Sequence, residues 1–157
     1  MKMNQLWHTK SAKETVSCGR GIAKLLIPGD VLALIGDLGS GKTTFVKGLA
    51  AGLGIADMRL VKSPTFVIFH IYQADTPIYH FDLYRLETEA DLDDIGFDEF
   101  LSDRNAISVV EWADRIPSIS ERATVTVEIS VDNEKERTIR LYRGLLARNL
   151  TTNIQGE

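Results

Sequence analysis

The sequence holds a single cysteine, Cys18, among 157 residues. A lone thiol cannot close an internal disulfide, so the fold must rest on its core, as is usual in a reducing compartment. Cys18 falls on the apolar face of a helical pattern and reads as packing rather than as a reactive thiol. Long apolar runs are also missing. None approaches the roughly 18 residues of a membrane span, and the amino-terminal MKMNQLWHTK lacks the apolar stretch of a signal peptide. The expected location is therefore the cytoplasm, with no membrane partner. Positive charge is short too, with 18 Lys and Arg against 22 Asp and Glu and a net charge of −4. A duplex-binding protein is normally basic, so tight direct nucleic-acid binding is disfavoured. The basic residues Lys135, Arg137, Arg140, Arg143 and Arg148 gather in the C-terminal third and read as a solvated face of strand and tail. No repeat, linker or low-complexity stretch divides the chain. The expectation is one domain over 1–148 with a polar tail over 149–157.

What is present is apolar patterning with two different periods. Ser11 and Glu14 have capping-box spacing. Ala12, Val16, Ile22, Leu25 and Leu26 then suit one helical face, which Pro28-Gly29 ends. Val31–Ile35 is a continuous apolar run of strand length, as a strand buried on both faces requires. From Lys42 to Leu53 the helical spacing returns through Phe45, Val46, Leu49, Ala50 and Leu53, with Gly54 as its stop. Phe66–Tyr72 and Ile78–Leu83 are β-rich and joined by a hairpin-like Gln-Ala-Asp-Thr-Pro. Residues 87–101 form an acidic segment read as helical, and Ile107–Glu111 is another short strand. Val125–Val131 and Thr138–Tyr142 flank residues 132–135 as a second hairpin. Trp7 and His8 fit the N-terminal edge of the sheet. Strands alternating with helices early, and hairpins later, predict an α/β fold. It should be a P-loop NTPase-like mixed sheet, with a parallel core and antiparallel hairpin strands, flanked by helices.

Gly36-Asp-Leu-Gly-Ser-Gly-Lys42-Thr43 matches the P-loop pattern in full and stands between a strand and a helix, the context that pattern needs. Glycines let the backbone curl with its N–H groups inward. The following helix adds unpaired N–H groups and its positive dipole end. Lys42 supplies a compact cation for the β- and γ-oxygens, and the Thr43 hydroxyl is the expected Mg²⁺ ligand. A carboxylate from a neighbouring strand end must complete the site. Asp82, ending IYHFD, and Glu111, ending ISVVE, both qualify, and the strands alone do not rank them. The guanine-reading Asn/Thr-Lys-x-Asp tetrapeptide is missing, and Asp93-x-x-Gly96 lacks a preceding apolar strand and reads as a helix boundary. The expected nucleotide is ATP.

The P-loop is followed by SPTF at Ser63–Phe66, HFDLYRL at His80–Leu86 and VVEWAD at Val109–Asp114. In that order these motifs, with GDLGSGKTT, resemble the TsaE family, also called YjeE, over Ser11 to about Arg140. These are small bacterial ATPases needed to make threonylcarbamoyladenosine on tRNA next to the anticodon. The resemblance implies that Gly39, Ser40, Gly41, Lys42, Thr43 and Thr44 bind the ATP phosphates, and that Thr43 and Glu111 hold Mg²⁺. It implies that Asp82 lies near the γ-phosphate and orients water. Ser63 and Thr65 would belong to a nucleotide-sensing loop, and Trp112 would sit beside Glu111 near the site or a partner surface. It further implies work with the TsaD and TsaB proteins, tRNA being reached through their complex, with hydrolysis resetting that assembly.

On the residues themselves, Pro64 restricts Ser63 to extended angles, and Ser-Pro-Thr reads equally as a strand-entry turn or as a loop whose Thr65 hydroxyl senses a γ-phosphate. His80 and Tyr84 read as packing or hydrogen-bonded structure rather than metal ligands. Three functions compete: an ATPase cycling a tRNA-modifying complex, a small-molecule or nucleotide kinase, and a nucleotide-gated binding module. A kinase needs an arginine-bearing lid, and the one candidate, 87–101, has neither Arg nor Lys. Lys42, Thr43, Asp82 and Glu111 together favour turnover over mere binding.

Overall fold

The computed structural model of the chain describes residues 4–62 and 69–143. Its elements run β1 (Asn4–Thr9), α1 (Ala12–Ala23), β2 (Val31–Ile35), α2 (Lys42–Gly52), β3 (Phe69–Tyr72) and β4 (Ile78–Asp82). They continue as α3 (Glu89–Asp94), α4 (Phe97–Leu101), β5 (Ile107–Glu111), α5 (Pro117–Arg122), β6 (Val125–Val131) and β7 (Arg137–Arg143). All seven strands form one sheet in the order β1-β7-β6-β2-β5-β4-β3. The central β6, β2, β5 and β4 are mutually parallel, and β7, β1 and β3 add antiparallel pairs at the two sides. This is the mixed sheet the sequence predicts, with Trp7 and His8 on its edge strand.

The pleat explains the unbroken apolar run of β2. Leu32 and Leu34 pack with Ile22 of α1 and Phe45 and Leu49 of α2 on one face. Val31 and Ala33 join Phe81, Leu92, Phe97 and Ile119 under α3, α4 and α5 on the other. Helices cover both faces of β2, so no polar alternation survives in that strand.

The helix ends differ in detail from what the sequence predicts. Ser11 Oγ accepts the Glu14 N–H at 3.1 Å and starts α1. That helix stops at Ala23, where the N–H groups of Leu25 and Leu26 reach back only three residues and tighten the turn before Pro28. The acidic segment divides in two: a Thr88–Asp91 capping box opens α3, and Gly96, at φ 70°, separates it from α4. Asp93-x-x-Gly96 is thus a helix boundary, as its sequence setting implies. Pro117 opens α5, a short helix that the apolar pattern does not reveal.

The basic C-terminal set is not one solvated face. Arg143 pairs with the buried Asp30 at 3.0 Å and donates to the Leu25 carbonyl, and Arg137 grips the glycine loop; Arg140 is exposed. Arg137 and Arg143 stand at the two ends of β7 on the face that carries Ile139 and Leu141 into the core, so their side chains meet neighbouring loops, which a count of charges does not show. Arg148, the tail over 149–157, and Ser63, Pro64 and Thr65 lie outside the described residues. No helix among the described residues is long and apolar enough to cross a membrane.

Candidate nucleotide site

β2 delivers the chain into the loop, and α2 begins at Lys42. Gly39 and Gly41 take φ of 78° and 101°, where a side chain is disfavoured. At Gly36 the constraint is crowding instead, since a Cβ there would lie 2.5 Å from Ser40 Oγ and 2.9 Å from the Ile129 carbonyl. The N-cap of α2 is Gly41, with no side-chain cap. Its first-turn N–H groups therefore lack the side-chain acceptor that Ser11 gives α1, and an uncapped helix start is suited to an anion. Among the described residues, Ser40 Oγ is a buried side-chain oxygen with no hydrogen-bond partner. Buried hydroxyls are normally satisfied, so this one marks the cradle as incomplete by itself.

Lys42 is 6% exposed. Its Nζ donates to the Gly36 carbonyl at 2.6 Å and the Asp37 carbonyl at 3.0 Å, and lies 4.0 Å from the Trp112 ring centre. Burial lowers its pKa, while the carboxylates of Glu111, Asp82, Asp37 and Asp114 pull it back up. The cation is thus held among oxygens and an aromatic face. Trp112 itself sits at φ 60° and, among the described residues, is the one non-glycine with positive φ. Backbone strain of this kind gathers where a site over-determines its geometry. Here the Trp112 N–H caps the Leu34 carbonyl at 3.2 Å and seats the ring over Lys42.

The two acids stand side by side. Asp82 pairs in register with Glu111 across β4 and β5, and Leu34 of β2 pairs with Glu111 on its other side. Both carboxylates are buried. Asp82 Oδ1 accepts from the Tyr84 N–H at 2.9 Å, and Glu111 Oε2 from His80 Nε2 at 2.5 Å. With Lys42, Thr43, Thr44 and Trp112 they line one cleft of about 360 Å³ at the carboxyl ends of parallel strands, where open α/β sheets bind ligands. A second cavity, of about 450 Å³, opens beside the loop between Lys10, Thr15, Ser40, Thr44, Lys135 and Arg137. Arg137 Nε donates to the Ser40 carbonyl at 2.9 Å and braces the loop from the β6–β7 hairpin.

No cluster of three or more His, Cys, Asp or Glu among the described residues could hold a metal alone. Thr43, Asp82 and Glu111 nevertheless present hard oxygen donors beside the glycine loop. Mg²⁺ takes such a set when phosphate oxygens and water fill the remaining positions.

Of the residues singled out from the sequence, Gly39, Ser40, Gly41, Lys42, Thr43, Thr44, Asp82 and Glu111 line these two adjoining cavities. Thr65 lies outside the described residues. His80 is hydrogen-bonded structure, as expected. Arg137 is a residue of this site that the sequence does not signal, since its partner Ser40 stands 97 positions away and no motif announces the pairing.

The model of the family described as threonylcarbamoyl adenosine biosynthesis protein TsaE matches residues 9–139. A tRNA threonylcarbamoyladenosine biosynthesis protein TsaE from Bacillus subtilis is 43% identical over 142 residues, covering 87% of this chain and 85% of that one. Its counterpart of the same description from Treponema pallidum is 39% identical over 133 residues, covering 83% and 96%. Among solved structures, the crystal structure of Bacillus subtilis YdiB superposes with a TM-score of 0.73 at 33% identity, covering 98% of this chain and 97% of that one. With the P-loop, the paired strand-end acids and this extent of likeness together, the chain belongs to the TsaE family.

Proposed function

We propose that the chain is a Mg²⁺-dependent ATPase that serves threonylcarbamoyladenosine modification of tRNA by cycling a complex of the TsaB and TsaD proteins. The observation that carries the ATPase part is the convergence of Lys42, Thr43, Asp82 and Glu111 on one cleft. The pathway comes from the relatives, whose names place them in tRNA threonylcarbamoyladenosine biosynthesis.

In this reading the loop N–H groups from Gly39 to Thr44 and the start of α2 hold the phosphates. Lys42 gives up its carbonyl partners to face the γ-phosphate. Thr43 and Glu111 would hold Mg²⁺, which when bound neutralises phosphate charge and polarises the reacting phosphoryl group. Asp82, fixed by the Tyr84 N–H, orients the attacking water, and Thr65 senses the γ-phosphate. The nucleoside takes the cavity beside Thr15 and Arg137. Soluble action in the cytoplasm agrees with the composition.

The kinase alternative loses its lid. The acidic segment 87–101 carries neither Arg nor Lys, and its Leu92, Phe97 and Leu101 pack into the core on one sheet face. A phosphate-release assay tests the proposal. The chain alone should hydrolyse ATP slowly, the TsaB–TsaD pair should raise turnover severalfold or more, and Lys42→Ala should abolish both rates. Equal rates with and without the pair, where the complex demonstrably forms, would defeat the cycling role.

A further inference from the structure

Glu111 carries a buried carboxylate whose neighbours reach well beyond the cleft. His80, on the adjacent strand β4, is fully buried, and its Nε2 lies 2.5 Å from Glu111 Oε2. A carboxylate only accepts, so Nε2 carries the hydrogen. The other ring nitrogen, Nδ1, lies 3.2 Å from the Tyr72 hydroxyl on β3. The hydroxyl oxygen in turn accepts the Lys62 N–H at 3.4 Å, and the Lys62 carbonyl at 3.3 Å competes with Nδ1 for its single hydrogen. Burial pushes the Tyr72 phenol above its ordinary pKa, so it remains a hydroxyl. The result is a continuous chain from the Lys62 backbone through Tyr72 and His80 to Glu111.

This arrangement does more than satisfy a core histidine. A glutamate has three side-chain torsions to fix, and β5 alone holds only its backbone. The bond from His80 engages Oε2 and leaves Oε1 for the cleft that Glu111 lines. Tyr72 then fixes the imidazole plane, since a ring bonded at one nitrogen alone can still swing about that bond. We infer that His80, itself held by Tyr72, is a positioning residue that sets Glu111 as the metal-facing carboxylate. The inference rests on the reading of the cleft as a Mg²⁺–ATP site. Hydrogen bonds to a ligating group of this kind typically account for about 10–100-fold in metal affinity.

The test compares wild type with His80→Ala, His80→Gln, Tyr72→Phe and Lys42→Ala. A fluorescent ATP analogue reports nucleotide affinity with Mg²⁺ and in excess chelator, and phosphate release gives the Mg²⁺ concentration for half-maximal rate. His80→Ala should raise that concentration about 10–100-fold and collapse the Mg²⁺ enhancement of binding, while metal-free affinity changes by less than about twofold. The Gln variant, whose amide N–H can still donate to Glu111, should recover part of the loss. Tyr72→Phe should shift the Mg²⁺ requirement in the same direction by a smaller factor. An unchanged Mg²⁺ requirement in His80→Ala, with Lys42→Ala inactive, overturns the inference and leaves the site reading intact. Parental hydrolysis by Lys42→Ala overturns both. If His80→Ala does not fold, Tyr72→Phe decides, and an unshifted Mg²⁺ requirement there refutes the coupling.

Discussion

The crossing of α1 and α2 is set by glycines, and a pair of substitutions tests this. An ideal Cβ on Gly48 would lie 2.0 Å from the Val16 carbonyl oxygen, and one on Gly19 would lie 2.4 Å from that of Phe45. Ordinary contacts run to about 3.5 Å, so Gly48→Ala must drive the helices apart by more than about 1 Å. The obstacle is backbone, which cannot rotate away. Overpacking of this sort costs typically about 1–3 kcal/mol, occasionally more. The better helix propensity of Ala returns about 1 kcal/mol. Since the overlap is severe, the upper end of the cost applies, and a net loss of about 2 kcal/mol follows. For a chain of this size that lowers Tm by about 4–8 °C. Gly21, exposed on α1 with no atom within 4 Å of its would-be Cβ, has propensity alone to gain, so Gly21→Ala should raise Tm by about 2–4 °C. Thermal unfolding followed by circular dichroism reads both. A Tm for Gly48→Ala at or above that of wild type would refute the steric account of the crossing.

Two further outcomes are specific. Glu111→Gln should abolish the Mg²⁺ dependence of nucleotide binding, whereas Asp82→Asn should keep that binding and lose turnover, because a water-orienting carboxylate contributes little to the ground state. Titrations of each variant with and without Mg²⁺ decide it, and the reverse pattern would exchange the two roles. Burial pushes the Cys18 thiol from its ordinary 9.0 up to about 11. Burial disfavours the charged form, so at pH 8 its thiolate population falls about hundredfold. Iodoacetamide should then label the native chain at least about a hundredfold more slowly than the chain unfolded in guanidinium, and similar rates would contradict the burial.

The sequence announces what depends on local chemistry. The glycine loop is legible because the P-loop pattern demands particular residue types within eight consecutive positions, and β2 because a strand covered on both faces has a recognisable apolar run. Cap and breaker residues place α1 and α2 to within a turn. What escapes is non-local. Gly48 looks like a weak spot in a helical pattern until α1 is laid across it. Arg137 looks like one charge among several, yet it donates to a loop carbonyl 97 positions away. Tyr72 and His80 belong to neighbouring strands whose register the pattern of apolar residues leaves open.

That register matters most at β5. Val109 packs into the core on one face of the sheet and Val110 into the core on the other, so a slip by one residue would leave β5 apolar on both sides. Apolar patterning therefore specifies its register weakly, unlike a strand with one wet face. The polar contacts choose instead. A slip would carry Glu111 away from His80 and bury a carboxylate without its donor, at a cost of at least about 1–3 kcal/mol. It would also break the pairing of the Trp112 N–H with the Leu34 carbonyl, which joins the strand end to the root of the glycine loop. The contacts that set Glu111 beside Lys42 are thus also those that tell β5 where to stop, and loss of His80 would loosen the alignment of the strand together with the aim of its carboxylate.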